Sequence, residues 1–462
     1  MKKWEKIAFA AVSSALLLIP VYTMPFVGQS STADNAEKRE LAAFPALFEN
    51  GKFNTAFFDG VGDYLADRFT LRSELVGAQS DLKGAFGVSS EEDVVMGTDG
   101  WLYFTKTMPD YQGETSLTAV QAQRLQRVGA LMAEYAESHG AAFALTVVPN
   151  KATVYPDHLP YYYRVPDSYA VTKPGCDSPT PLYVLNQQLA DSDWYVDMTA
   201  ALTAEKETLL YHKRDSHWNN LGARIGYDAL MTAVDGKAGA YADTPYTIES
   251  VWAGDLDNLL GSEHKDEQAV WQREFAYEYT SRFRTEEDIL ITTACDSGEG
   301  HLVMFRDSFA NALLPLLAEQ YATATFSRAL PFALDLTEIE GADTVIVEIV
   351  ERNLTNLLAY APKMAAPTRE IPTVTDTVAD GYEAVKVSQS GDYLKVSGFT
   401  ATVTDRIYLA VDGVAYEAFP IAEGDAASDH GFTVYLPAAC AGKPITLLGE
   451  NHGEWMNMGT IN

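Results

Sequence analysis

The sequence predicts an α/β domain built on a largely parallel sheet, followed by a small β-sandwich. Three observations carry this. From about residue 116, apolar runs of strand length alternate with segments of helical period. Several of the strand candidates, among them "AFALTVV", "HLVMF" and "VIVEIV", lack polar alternation. Both of their faces must then be covered, as in a parallel sheet lying between helices. Beyond Pro367 the texture changes to short alternating runs split by turn residues, which reads as antiparallel strands.

The elements follow in order. Lys2, Lys3 and Lys6 precede an apolar run from Ile7 to about Gly28. A charged segment before an apolar one marks export, and the run is about long enough to span a bilayer. No small-x-small cleavage site follows it. An uncleaved anchor is therefore favoured over a cleaved signal, although Pro20 and Pro25 interrupt the run. The positive flank stays inside and places the rest of the chain outside. Residues 1–34 form this anchor and its tether, and residues 35–366 form the α/β domain. Helical spacing continues through "FNTAFFDGVGDYLADRFTLRSELVG". Asp99-Gly100 marks a turn before a short strand at Trp101–Phe104. A helix pattern ends at Gly140, and a buried strand then runs into Pro149-Asn150-Lys151. "PLYVLNQQLA", "NNLGARIGYDALMTAV" and "ANALLPLLAEQY" are helices; "WYVDM", "HLVMF" and "ADTVIVEIV" are strands.

Residues 367–381, rich in Pro, Thr and Asp, read as a linker, and 382–462 as the sandwich, with Asp412-Gly413 as a hairpin signal. Tyr393, Tyr408, Tyr416 and Tyr435 are candidates for stacking on sugars, although strand tyrosines usually cover a sheet. The 462-residue chain carries a formal net charge of -31. Such a surface repels nucleic acid, and no basic stripe compensates. A neutral sugar or a small acyl donor fits it better. Cys176, Cys295 and Cys440 match no zinc or redox spacing. An exported chain allows one disulfide among them, and three unpaired thiols are the equal alternative.

Two stretches carry the candidate chemistry. In "HLVMFRDSFANALLPLLAEQY", Ser308 sits where a strand passes into a helix. Free backbone N–H groups and the positive dipole end there suit a developing oxyanion. The plainer reading is that Asp307 or Ser308 caps the helix. In "KRDSHWNNLGA", Asp215 and His217 stand just before a helix. Histidine is the usual base for a serine, and a carboxylate fixes its tautomer. The plainer reading is again a cap with an exposed histidine beside it. A metal site is disfavoured because no histidine cluster supplies further ligands. No cofactor is implied. No G-x-S-x-G elbow is present, which disfavours an α/β-hydrolase. The Ser308 N–H is the oxyanion donor expected from position, with Arg306, Asn311, Arg352 and Asn353 as support or substrate ligands. Asn150 and Lys151 follow a buried strand near where a substrate would lie, and Tyr103 and Trp218 are candidates for stacking on a sugar. Asn353-Leu354-Thr355 is a formal glycosylation sequon at a strand end, where it reads as chance.

"RDSHWNNLGARIGY" resembles the D-x-H-W signature of the DHHW proteins, which are similar to the alginate O-acetyltransferase group of the SGNH hydrolase-like superfamily. "VVPNKATVYPDHLP", "FRDSFANAL", "VIVEIVERNL", "NAEKRELAAFPAL" and "YLADRFTLRSELVG" also resemble that group, over about residues 35–362. The resemblance implies an SGNH-like three-layer α/β/α fold and a triad of Asp215, His217 and Ser308. It also implies the reversed order in which the serine comes last. Ser216 stands where the DHHW name has histidine. Arg306-Asp307 precedes the serine where simple SGNH enzymes have Gly-Asp, which puts a glycine contribution to the oxyanion hole in doubt. The implied function is an extracytoplasmic O-acetyltransferase, anchored to the cytoplasmic membrane or secreted. It would move acetyl groups to hydroxyls of a cell-surface or secreted polysaccharide. A membrane-bound O-acyltransferase would be its acetyl supplier. The alternatives are an esterase or deacetylase using water as acceptor, and a non-catalytic carbohydrate-binding protein.

Overall fold

The computed structural model describes residues 92–163, 180–378 and 380–461, with short stretches between 44 and 64. The expected N-terminal anchor and Cys176 lie outside the described residues. Among the described residues no helix is long and apolar enough to cross a membrane. The chain divides into two compact units. The smaller takes residues up to Thr105, with 213–215 and 251–266. In it Val94–Met96 pairs antiparallel with Leu102–Phe104, across a turn in which Asp99 and Gly100 both have positive φ. Val94 and Leu102 pack with Leu256 and Leu260.

The larger unit holds a seven-stranded sheet and the C-terminal strands. Its first elements are α1 (Ala119–Ser138), β1 (Ala142–Val148), α2 (Pro181–Gln188), β2 (Tyr195–Val196), α3 (Met198–Ala204) and α4 (Asn220–Asp235). Next come β3 (Glu278–Tyr279), β4 (Leu290–Ala294), β5 (His301–Phe305), α5 (Leu314–Gln320), β6 (Thr323–Ser327) and β7 (Thr344–Val350). The sheet order is β2-β1-β7-β5-β6-β4-β3. The first five strands are mutually parallel, and β4 and β3 add antiparallel at one edge.

Residues two apart on a strand share a face, and both faces of this sheet are apolar. Ala144, Val148, Leu302, Met304, Ile346 and Val350 enter one core with residues of α3, α4 and α5. Phe143, Leu145, Val303, Phe305, Val345 and Val347 enter a second core with α1 and α2. That is why these strands read as continuous hydrophobic runs. Helix α1 starts where Thr118 and Gln121 cap each other's backbone N–H groups in a capping box. Helix α4 starts at Asn219, whose side chain accepts from Leu221 N and Gly222 N.

The C-terminal strands are β8 (Thr368–Arg369), β9 (Asp376–Thr377), β10 (Tyr382–Ser390), β11 (Tyr393–Thr400), β12 (Arg406–Val411), β13 (Val414–Glu417), β14 (Gly431–Pro437), β15 (Ile445–Asn451) and β16 (Glu454–Ile461). They form a six-stranded sheet, β8-β13-β12-β15-β16-β9, and a three-stranded one, β10-β11-β14. Val396, Phe432 and Val434 of the small sheet share a core with Ile407, Leu409 and Leu447 of the large one. Asp412 and Gly413 both take positive φ in the β12–β13 hairpin, as a two-residue turn of the primed type needs. The stretch read as a linker differs from expectation. Its residues form β8 and β9, the two edges of the six-stranded sheet. Cys295 and Cys440 are buried free thiols.

The C-terminal strands join the α/β layer through both apolar and ionic contacts. Phe419, Ile421 and Tyr435 belong to the same core as α1 and α2. Glu417, with its side chain 1% exposed, takes Arg127 from α1, Arg369 from β8 and Arg406 from β12. Arg369 also makes two 2.6 Å bonds to Glu134 of α1. Burial raises the Glu417 carboxyl, but Arg406, Arg127 and Arg369 outweigh it and hold the group below the ordinary glutamate range. A depressed carboxyl stabilises the fold above its unfolded pKa, and that contribution is lost as pH falls through the folded value. Glu417→Ala is expected to cost about 2–4 kcal/mol, because it removes the buried acid that three guanidinium groups share beside an apolar seam. In denaturant unfolding at a series of pH values, the gap between wild type and variant should close below about pH 4.

Candidate active site

Strand β5 ends at Phe305, and the chain turns through Arg306 and Asp307 into a 3-10 turn, Ser308–Asn311. The α-helix expected directly after Ser308 begins only at Leu314, with Pro315 in its first turn. The N-terminus facing Ser308 is therefore one 3-10 turn, and the helix-dipole contribution expected there shrinks accordingly. What remains is local. Among the described residues the Ser308 N–H meets no acceptor, so it is free to donate outward.

The turn is fixed by carboxylates. Asp307 Oδ1 accepts from Phe309 N at 2.9 Å. Its Oδ2 accepts from Val350 N at 2.8 Å and from Asn353 Nδ2 at 2.9 Å. Asp307 N in turn donates to Glu348 Oε2 at 3.1 Å. Glu348 lies on β7, on the same face as Ile346 and Val350, and is fully buried. Burial first, and the neighbouring Asp307 charge second, push its carboxyl well above the ordinary range.

His217 comes to this turn from the loop before α4. Its Nε2 lies 2.8 Å from Ser308 Oγ, and its Nδ1 lies 3.3 Å from Ser216 Oγ. The imidazole packs on Phe309, ring centroids 4.8 Å apart, and the Arg352 guanidinium also lies over that ring, at 5.0 Å. Trp218 is buried and donates Nε1–H to Phe309 O at 2.7 Å. Histidine and serine are thus held by two neighbouring residues that bond to each other. A bridge between Tyr211 and Trp218 closes the loop, and Tyr211 Oη donates to Pro149 O at 2.6 Å. Gly226 of α4 leaves room for the indole, which an added Cβ would meet at 2.7 Å.

Asp215 belongs to the smaller unit. Its buried carboxylate accepts through Oδ2 from Trp252 Nε1 at 2.9 Å and from Asp255 N at 3.0 Å. Trp252 and Asp255 were not foreseen. A tryptophan and a Gly-Asp junction some 40 residues downstream carry no signal that names their target.

The other candidates divide. Arg306 is buried and bonds Asp307 O, Asn311 Oδ1 and Glu286 O, so it braces the turn rather than facing a substrate. Burial, then Arg328, lower its pKa to about 10, which leaves it charged at neutral pH. Asn311 spends its other end on Glu287 Oε1. Lys151 is buried with Nζ on His212 O at 3.0 Å. Asn150 is buried at the end of β1, and its N–H donates to Glu351 Oε2 at 2.7 Å. Burial raises the Glu351 carboxyl to about 7 despite that bond and one from Thr153. Tyr103 and Trp218 correct the expectation of sugar stacking, since both are buried, Tyr103 inside the smaller unit. Tyr408 and Tyr435 are buried too. Glu348 was missed, although an acid inside an otherwise apolar strand was a visible signal for a buried polar partner.

Residues 94–297 match the family described as the SGNH hydrolase-like domain of the acetyltransferase AlgX. The match includes Asp215 and His217 and ends before Ser308. A curated relative, the probable alginate O-acetylase AlgJ of Pseudomonas syringae pv. tomato, is 25% identical over 152 residues. That alignment covers 31% of this chain and 34% of the relative, so the chain spans about a third of that protein's length. Among solved structures, a DHHW family protein from Eubacterium siraeum aligns at 16% identity and a TM-score of 0.40, over 56% of this chain and 90% of that one. The O-acetyltransferase domain of Pseudomonas putida AlgJ aligns at 20% identity and a TM-score of 0.36, over 56% and 91%. Residues 94–297 of the chain are thus similar to the SGNH hydrolase-like domain of the AlgX acetyltransferases.

The buried Glu348 yields a signed prediction. A carboxyl raised in the fold stabilises fully below its unfolded pKa, and the contribution is lost as pH rises through the folded value. Glu348→Gln keeps an acceptor for Asp307 N and removes the titration. Its stability relative to wild type should rise as pH climbs above the ordinary glutamate range in denaturant unfolding. Glu348→Ala leaves Asp307 N unpaired and should lie about 2–4 kcal/mol below Glu348→Gln at every pH.

Proposed function

We propose that this chain is an extracytoplasmic O-acetyltransferase that acetylates hydroxyls of a cell-surface or secreted polysaccharide through an acyl-serine. The observation that carries the reading is the 2.8 Å approach of His217 Nε2 to Ser308 Oγ. A serine hydroxyl becomes a nucleophile when a base within hydrogen-bond reach removes its proton. Ser308 Oγ attacks the acetyl carbonyl as His217 takes the Oγ proton. The Ser308 N–H stabilises the oxyanion. The tetrahedral adduct collapses, the donor's leaving group departs with the proton from His217, and acetyl-Ser308 remains. A sugar hydroxyl then attacks the ester, again losing its proton to His217. The sugar ester leaves as that proton returns to Ser308 Oγ.

Asp215, two positions before His217 in the chain, is the acid we assign to orienting the imidazole and supporting its cationic form. Its carboxylate is held by two hydrogen bonds, from Trp252 Nε1 and the Asp255 backbone. Phe309 and Arg352 pack beside the dyad, and Arg352 is the cation best placed to meet a substrate oxygen. The acetyl donor is supplied by a membrane-bound O-acyltransferase, and the N-terminal apolar segment keeps the two together at the membrane. The resemblance to AlgX and AlgJ supports acetyl transfer to a polysaccharide, and the net charge of -31 favours an uncharged acceptor over a polyanion.

The test uses an aryl acetate as donor, with and without a neutral oligosaccharide. Ser308→Ala and His217→Ala should each lower aryl release about a thousandfold or more, with unfolding midpoints unchanged. Acetylated sugar should form at the expense of acetate. Acetate alone, however much sugar is added, would make water the acceptor and the protein an esterase. Full activity in Ser308→Ala would overturn the acyl-serine, and no aryl release by the wild type would leave a non-catalytic carbohydrate-binding role.

A further inference from the structure

The larger unit has a groove of about 740 Å³ that the serine chemistry does not use. One wall is α1 with the turn before β2, presenting Gln123, Arg124, Asp193 and Trp194. The other wall comes from the C-terminal strands, presenting Thr404 and Asp405. Ser308 follows the C-terminal end of β5, whereas Asp193 and Trp194 immediately precede β2. Because β2 and β5 run parallel, the groove opens at the end of the sheet opposite the dyad.

We propose that this groove is a binding site for an uncharged oligosaccharide segment, which holds the polymer while another part of it is modified. The ligand class rests on the glycan acceptor proposed above; the site itself rests on the groove. Its lining suits sugars better than other ligands. Trp194 is half-buried, and its six-membered ring rests on Gly129 of α1, where an added Cβ would meet it at 2.3 Å. The indole is thereby held in one orientation, with an aromatic surface for the C–H face of a sugar. The Asp193 and Asp405 carboxylates and the Gln123 amide around it match hydroxyls, which both donate and accept. Two of the lining groups are buried and lack a partner among the described residues, Arg124 Nε and Thr404 Oγ1. Buried polar atoms are rarely left unpaired, and the residues that carry these two line the groove. The volume lies within the range of small-molecule sites and exceeds one sugar ring.

The walls are also fixed to one another. Arg124 donates to Ser428 O at 2.6 Å and to Asp429 O, and Gln121 donates to Ala426 O at 3.3 Å. Arg127 reaches Glu417 across the same seam. A groove whose sides are tied in this way is formed before a ligand arrives, so little ordering cost opposes binding. Both signs of charge meet there, and the acidic chain around it disfavours a polyanion.

The test is calorimetric titration of the full chain with cellohexaose, with chitohexaose and with an oligouronate of the same length. Binding of a neutral hexasaccharide is expected, weakened at least tenfold in Trp194→Ala. The double variant Gln123→Ala/Asp193→Ala, which changes only exposed side chains, should weaken it similarly and keeps the test valid if Trp194→Ala unfolds. Ser308→Ala should bind as wild type does, and both groove variants should retain aryl acetate turnover. No binding of either neutral sugar, binding of the oligouronate alone, or binding untouched by the groove variants would overturn the proposal. Absence of acetyl transfer to sugar with groove binding intact would instead count only against the sugar acceptor of the proposed reaction.

Discussion

Two parallel strands, β5 and β7, end side by side, and both chains must turn away from the sheet without stranding their backbone N–H groups. Asp307 resolves this. One carboxylate accepts from Phe309 N in its own turn, from Val350 N at the end of the neighbouring strand and from the Asn353 amide beyond it. Buried N–H groups without partners are costly, so the arrangement that satisfies all three sets the path of the chain. Ser308 is the residue between the two ends of that clamp. Its hydroxyl direction follows from the path, and His217, held through Phe309 and Trp218, meets it.

The same clamp explains the charge placed around it. Three donors already surround the Asp307 carboxylate, and Arg306 is close by, braced on Asn311 and Glu286. A second ionised acid directly beneath would be repelled, and burial drives Glu348 toward its neutral form. A neutral acid still accepts the Asp307 N–H. The turn therefore holds two carboxyl groups in one cluster, the buried one pushed toward its neutral form.

Much of this was legible in the sequence, for physical reasons. Strands buried on both faces carry no polar alternation, so the parallel sheet was visible in "VIVEIV" and "HLVMF". The serine and histidine were visible because each stands at the boundary of an element, and together they make a chemically complete pair. The short 3-10 turn after Ser308 was not visible, since apolar spacing is the same whether Ser308–Asn311 winds as an α-helix or more tightly. Pro315 was the cue that the helix restarts later. Arg306 and Trp218 looked available for substrate because sequence cannot show which acceptors a folded chain brings near. The Pro- and Thr-rich stretch after Pro367 looked like a linker because short edge strands bury little and need no apolar pattern.

The seam around Glu417 has a further consequence for how the larger unit can be taken apart. Phe419, Ile421 and Tyr435 complete a core that α1 and α2 leave open, and three guanidinium groups converge on a carboxylate supplied by β13. Removing everything after residue 366 would bare that apolar surface and leave Arg127 without its counter-ion. The C-terminal strands are therefore no detachable accessory but a wall of the building. A chain lineage that lost them would need to rewrite the outer face of α1 at the same time.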